Sequence, residues 1–204
     1  MDFLTVFAIP NGLFFILDLC MNIIGGQDVI PHSKPFMALI KDKKHYCGGS
    51  LIKKNWVLTA AHFWSILQRR KVKINKAVKT TNLPNTGTDI KPGTRCQVIG
   101  WGTTNNQMND MSDTLKQVNV TVIDRNTCND KKHYNLQPEI TKNMGDSGGP
   151  LICNGELKGI TSFGKDGKCG AVQYPGVYTL LTASYINWIK KTIGGDLEDD
   201  FFAD

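Results

Sequence analysis

Ser147 lies in the run Gly145-Asp146-Ser147-Gly148-Gly149-Pro150, a hydroxyl set among glycines whose backbone can turn sharply and aim N–H groups at a substrate. A serine hydroxyl is a weak nucleophile until a base takes its proton, and the oxyanion formed by attack needs fixed donors. The N–H groups of this glycine-rich run are the candidate donors. Of the four histidines, His32, His45, His62 and His133, only His62 ends a stretch, Trp56-Val57-Leu58-Thr59-Ala60-Ala61-His62, that reads as a strand running into a small-residue turn. The chemistry this pairing would support is acyl transfer: Ser147 attacks a carbonyl carbon, and His62 takes the hydroxyl proton and later hands it to the leaving group.

Chain order narrows the class. Residues 145–149 also fit the Gly-x-Ser-x-Gly turn of α/β-hydrolases, but there the histidine follows the serine, and no histidine follows Ser147. Histidine before serine is the chymotrypsin order. Together with Ile23-Ile24-Gly25-Gly26, Gly100-Trp101-Gly102 and Pro175-Gly176-Val177-Tyr178, these segments resemble the trypsin/chymotrypsin family of serine endopeptidases. The stretch Pro31-His32-Ser33-Lys34-Pro35-Phe36-Met37-Ala38 is most similar to granzymes A and K within that family. The resemblance runs from Ile23 to about Ile193.

That resemblance implies an all-β fold, a trypsin-like double β-barrel with a C-terminal helix, and hydrolysis of peptide bonds without a cofactor or metal. It implies oxyanion donation by the N–H groups of Gly145 and Ser147, a cut before Ile23 whose new amino group inserts beside Asp146, and substrate backbone pairing along Ser162-Phe163-Gly164. It also implies a Cys96–Cys153 disulfide, protein or peptide substrates, and a secreted or granule-stored protein that meets sulfated proteoglycans and serine protease inhibitors.

Two blocks typical of the family have no counterpart here. After the base segment the family has a cysteine and then an aspartate opening an apolar strand, whereas His62 is followed by Phe63-Trp64-Ser65-Ile66-Leu67-Gln68. None of Asp89, Asp110, Asp113, Asp124, Asp130 and Asp146 opens an apolar run, so no triad aspartate is assigned and the first barrel is expected to be incomplete. Before the nucleophile the family has a cysteine-bearing loop that floors the specificity pocket, whereas Asn143-Met144 here runs directly into Gly145. The six cysteines are Cys20, Cys47, Cys96, Cys128, Cys153 and Cys169. The family partners of Cys47, Cys128 and Cys169 fall at Phe63 or inside the missing loop, so these three are expected to remain thiols. A new pairing pattern is the alternative. The chain from Ile23 is also shorter than the roughly 200–250 residues usual for a barrel pair.

The elements that must position these groups are legible by alternation. Cys96-Gln97-Val98-Ile99 and Gln117-Val118-Asn119-Val120-Thr121-Val122 read as strands, and Leu151 to Leu157 as a hairpin turning at Asn154-Gly155 in type I′ geometry. Ser184 is expected to cap a helix presenting Tyr185, Ile186, Trp188, Ile189 and Ile193 on one face, with Gly194 as its stop.

Residues 1–22 read as an atypical signal or pro-segment. Their two apolar stretches are interrupted by Pro10-Asn11-Gly12 and flanked by Asp2 and Asp18 in place of a basic start, and neither is long enough to span a bilayer. The stretch 194–204 is an acidic tail, so the formal charge of +6 understates how basic the rest is. Basic runs at 41–44, 53–54 and 69–79 favour polyanions over nucleic acid, since no aromatics interleave them as base-stacking platforms would require. Asn119-Val120-Thr121 is a glycosylation sequon placed in a strand.

Overall fold

The structure, a computed structural model, describes residues 5–9, 23–42, 45–60, 71–102, 104, 112–136, 148–165, 168 and 171–199. Two sheets and a C-terminal helix make up the fold. The first sheet has strands β1 (Thr5–Ile9), β3 (Met37–Asp42), β4 (His45–Lys53) and β5 (Trp56–Ala60), in the order β1-β5-β4-β3. The second has β2 (Gln27–Asp28), β6 (Arg95–Gly100), β7 (Lys116–Thr121), β8 (Pro150–Cys153), β9 (Glu156–Phe163) and β10 (Val177–Leu180), in the order β10-β9-β8-β6-β7-β2. A single helical turn, α1 (Arg125–Cys128), follows β7, and α2 (Ala183–Asp199) ends the described chain.

Alternation along the strands divides the apolar residues between separate cores, because successive side chains point to opposite faces. In β6, Cys96 and Val98 enter one core with Ile23, Leu151 and Cys153, while Ile99 enters another. In β8, Ile152 lies opposite Leu151 and Cys153 in the same way. The larger core joins both sheets to the helix: Ile52, Trp56, Leu58 and Ala60 from β4 and β5 pack with Leu157 and Ile160 from β9 and with Ile186, Ile189 and Ile193 from α2. Every residue of β5 is buried, since Val57 turns the other way into a third core with Ile40, Cys47 and Leu51. A strand covered on both faces has to read as a continuous apolar run, and Trp56-Val57-Leu58 does.

Local chemistry sets the turns. Asn154 and Gly155 have φ of 51° and 78°, the pair of positive values that a type I′ hairpin requires. The helix departs from the sequence-based expectation at both ends. Thr182 caps it, its Oγ1 accepting from Tyr185 N at 3.5 Å, and Ser184 sits in the first turn with its hydroxyl 2.8 Å from that of Thr182. Ile186 N donates to Thr182 O at 2.9 Å, so the helical ladder starts at 182, and Ser184 already lies inside the helix where a cap cannot sit. Gly194 does not stop the helix, which continues to Asp199. An isolated glycine costs a helix only about 1 kcal/mol relative to alanine. Trp188 remains 40 % exposed while Ile189 is fully buried.

The N-terminal stretch takes part in the first sheet. Thr5–Ile9 runs parallel to β5 in continuous register, Thr5 beside Trp56 and Ile9 beside Ala60.

Candidate active site

His62, Gly145, Asp146 and Ser147 lie outside the described residues, but the segments that lead to them do not. β5 ends at Ala60, two residues before His62, and the described chain resumes at Gly148, directly after Ser147. These two stems meet. Thr59, wholly buried, donates its hydroxyl to Gly48 O at 2.7 Å, and a Cβ placed on Gly148 would run into Thr59 Oγ1, Gly48 O and Cys47 Sγ. Gly148 has φ +84°, so only glycine meets both the left-handed backbone and the close approach at this position. On its other side Gly148 N donates to Thr161 O at 3.1 Å, and Thr161 N donates to Gly149 O at 2.7 Å. The chain after the nucleophile is thus clamped between β4 and β5 on one side and β9 on the other.

Ser162 and Phe163 close β9, with Ser162 buried and Phe163 half-buried. Phe163 pairs with Val177 of β10 and packs edge-on against Tyr134, ring centroids 6.0 Å apart. Tyr134 stands edge-on to Tyr174 at 5.7 Å and donates its hydroxyl to Pro175 O at 3.0 Å. Burial lifts the Tyr134 phenol to about 12 and keeps it neutral. Sequence reasoning did not single out Tyr134, whose spacing in a turn carries no periodic signal. Gly164 follows Phe163 directly.

Ile23 is 5 % exposed, its side chain seated against Cys96, Val98, Leu151 and Cys153, and its carbonyl accepts from Gly26 N at 2.8 Å. Cys96 and Cys153 form a disulfide across neighbouring strands. Cys47 and Cys128 are buried thiols. Burial pushes the Cys47 thiol up to about 12 against its contact with the Thr59 hydroxyl, so it is an inert neutral group. Cys128 is shifted up as well, first by burial and then by the nearby Asp130 charge. Cys20 and Cys169 lie outside the described residues.

Three of the aspartates considered for the triad are committed elsewhere. Asp89 forms a two-pronged ion pair with Arg125, one arm at 2.7 Å. Asp124 caps α1, accepting from Asn126 N at 2.8 Å. Asp130 bonds first with the His133 ring nitrogen and then accepts from the Lys132 and His133 amides, contacts that hold its carboxyl below the usual range. Asp113 is an exposed turn residue, and Asp110 and Asp146 lie outside the described residues.

Two of the three basic runs come together. Val72 N donates to Lys54 O and Lys79 N to Pro35 O, which lays residues 71–79 along the first sheet with Lys54, Lys71, Lys73, Lys76 and Lys79 all exposed. Among the described residues no helix is long and apolar enough to cross a membrane, and no cluster of His, Cys, Asp and Glu could hold a metal ion.

The Trypsin family profile matches this chain in two pieces, residues 23–69 and 64–189. Granzyme A of Bos taurus is 41 % identical over an alignment that takes in 86 % of this chain and 90 % of that protein. Granzyme B of Homo sapiens is 34 % identical, covering 84 % of this chain and 91 % of its own length, and kallikrein-8 of Rattus norvegicus is 32 % identical over 85 % and 87 %. Among solved structures, neuropsin, a serine protease expressed in the limbic system of mouse brain, superposes with a TM-score of 0.71 at 30 % identity, over 84 % of this chain and all of that one. The chain belongs to the trypsin family of serine endopeptidases, on a trypsin-like all-β fold with a C-terminal helix.

Proposed function

We propose that this chain is a granzyme-like member of the family that retains the nucleophile and base of peptide-bond hydrolysis but turns over weakly or not at all. The observation that carries the first half is the meeting of Thr59 and Gly148 across Gly48, which anchors the stem of His62 beside that of Ser147. In this reading Ser147 Oγ attacks the scissile carbonyl, His62 takes its proton and returns it to the leaving amine, and the N–H groups of Gly145 and Ser147 hold the oxyanion. Ser162, Phe163 and Gly164 align substrate backbone. Ile23, once freed, places its ammonium beside Asp146.

The second half rests on the aspartates. Asp89, Asp124 and Asp130 are tied to Arg125, α1 and His133, and none is available to fix the tautomer of His62. Loss of that orienting carboxylate costs about four orders of magnitude in a triad enzyme. The alignment with granzyme A agrees with missing blocks: its 235 positions exceed the whole 204-residue chain while covering 86 % of it, so relatives have residues where this chain has none. We place the blocks after His62 and before Gly145, and the latter removes the floor of the specificity pocket.

A fluorophosphonate probe, run beside a Ser147→Ala variant, tests both halves. The expected result is labelling that is slow or absent and, where present, lost in the variant. Labelling at the rate of an intact family member would overturn the assignment of a defective base. Labelling that survives Ser147→Ala would overturn the nucleophile.

A second reading, a non-catalytic module that binds sulfated polysaccharide outside the cell, is favoured by the exposed lysines along residues 71–79 beside Lys54. Elution from immobilised heparin at a salt concentration well above that of the Lys71→Glu/Lys73→Glu/Lys76→Glu variant would support it. Equal elution of the two would exclude it.

A further inference from the structure

The six-stranded sheet ends at β10 on one side, and on the other β2 covers β7 only beside Lys116 and Gln117. Hydrogen bonds just outside the strands reveal which way each edge faces. Val29 N donates to Leu115 O, so the odd-numbered residues of β7 direct their backbone groups away from β6. Val122 confirms the parity, its N donating to Thr94 O and its carbonyl accepting from Gly93 N on the β6 side. Asn119 and Thr121 therefore present N–H and C=O outward, and among the described residues no strand lies beside them. At the far end Leu181 N donates to Lys158 O, so Thr179 faces β9 and Tyr178 presents its backbone groups outward.

These two edges line one cavity of about 740 Å³. Its apolar lining is the mouth of the second core: Val120, Val122, Leu151 and Tyr178. Backbone donors and acceptors of Asn119 and Thr121 on one wall and of Tyr178 on the other, above an apolar floor, suit one kind of ligand. An extended peptide carries donors and acceptors on both edges and sends alternate side chains to one face. A helix uses its backbone groups internally, and an aliphatic ligand would satisfy the floor but not the walls. At the rim Arg125 is held by Asp89 and Lys158 by Glu156, while exposed Lys91 has no ion pair among the described residues. That leaves a place for one acidic side chain.

We propose that the cleft between β7 and β10 is a strand-acceptor site, taking one extended segment of a partner peptide with alternating apolar side chains and an acidic residue at one end. The segment inserts between the edges of β7 and β10 and closes the sheet into a barrel.

The test is amide hydrogen exchange on the full chain with the probe acetyl-Asp-Val-Thr-Val-Thr-Val-amide. Saturating peptide should slow exchange at Asn119, Thr121 and Tyr178 by at least roughly tenfold. Methylating alternate peptide nitrogens should weaken binding by about tenfold or more. Lys91→Glu, a surface change that leaves the sheet intact, should weaken it several-fold. Protection confined to Ser162, Phe163 and Gly164 would mean that the peptide binds only as a substrate, and would sink the proposal while leaving the proposed function standing. Slow exchange of Asn119 and Thr121 in the peptide-free monomer, unchanged binding of the methylated peptide, or a dimer that buries the β7 edge would also overturn it.

Discussion

In the four-stranded sheet β5 has a neighbour on each side, β4 antiparallel and β1 parallel, whereas in the six-stranded sheet β10 ends the order, β2 covers β7 only beside Lys116 and Gln117, and β10 and the uncovered part of β7 look into a shared cavity. Both sheets belong to a family whose strands close into barrels, and closure removes edges. The first sheet covers the edge of β5 with residues from before Ile23, far from it in sequence. Among the described residues the second leaves β10 and most of β7 without an outer neighbour, but ties its inner strands covalently through Cys96 and Cys153. One sheet is thus extended by recruitment and the other is reinforced from within.

The comparison makes different substitutions matter in each half. The largest effect is expected from Cys96→Ala/Cys153→Ala, since the disulfide closes a loop with a sequence separation of 57. Its loss should cost about 4 kcal/mol in urea unfolding, and a loss below about 1 kcal/mol would show that the second sheet does not depend on it. Next comes Gly148→Ala, which forces a side chain into a left-handed position against Gly48 O and Cys47. A destabilisation of roughly 2–3 kcal/mol should appear, with faster amide exchange in β5 and β9 together, because Gly148 joins the two halves. Exchange that rises in one sheet only would break that link.

Removal of residues 1–22 should act on the first sheet alone. Amides of Trp56 to Ala60 should exchange about tenfold faster, those of β6 and β8 unchanged, and no change in β5 would show that its edge needs no cover. The Asp89→Asn change should be smallest. The Asp89–Arg125 pair is exposed, so its loss should cost no more than about 1 kcal/mol and shrink further in high salt.

Much of the second sheet was legible because its signals are local. Alternation marked β6 and β7, and Asn154-Gly155 marked the hairpin with its turn type. The parallel seat of Thr5–Ile9 was not legible, since an apolar run reads equally as leader or buried strand and parallel pairing leaves no turn to announce it. The helix cap lies at Thr182 and not at Ser184 because two hydroxyls two residues apart offer the same local pattern, and the first ladder bond, Ile186 N to Thr182 O, decides between them. At the site, the need for glycine at 148 was visible only as a motif. Its physical cause, the approach of Gly48 and Thr59, comes from strands about a hundred residues earlier.

Cys47 carries a consequence for how long the molecule lasts. While the fold holds, its sulfur is sealed under Thr59 and Gly148, too buried to ionise near neutrality. Each opening of the first sheet uncovers it, and an unfolded thiol ionises near its ordinary value of 9.0. Where the solution holds a small-molecule disulfide, the uncovered thiolate attacks it, one half joining Cys47 as a mixed disulfide and the other leaving as a thiol, and a captured chain cannot reclose around the added bulk. Unfolding then runs in one direction. The lifetime of the molecule under oxidant is set by how often it opens, and with reductant it is set by equilibrium alone.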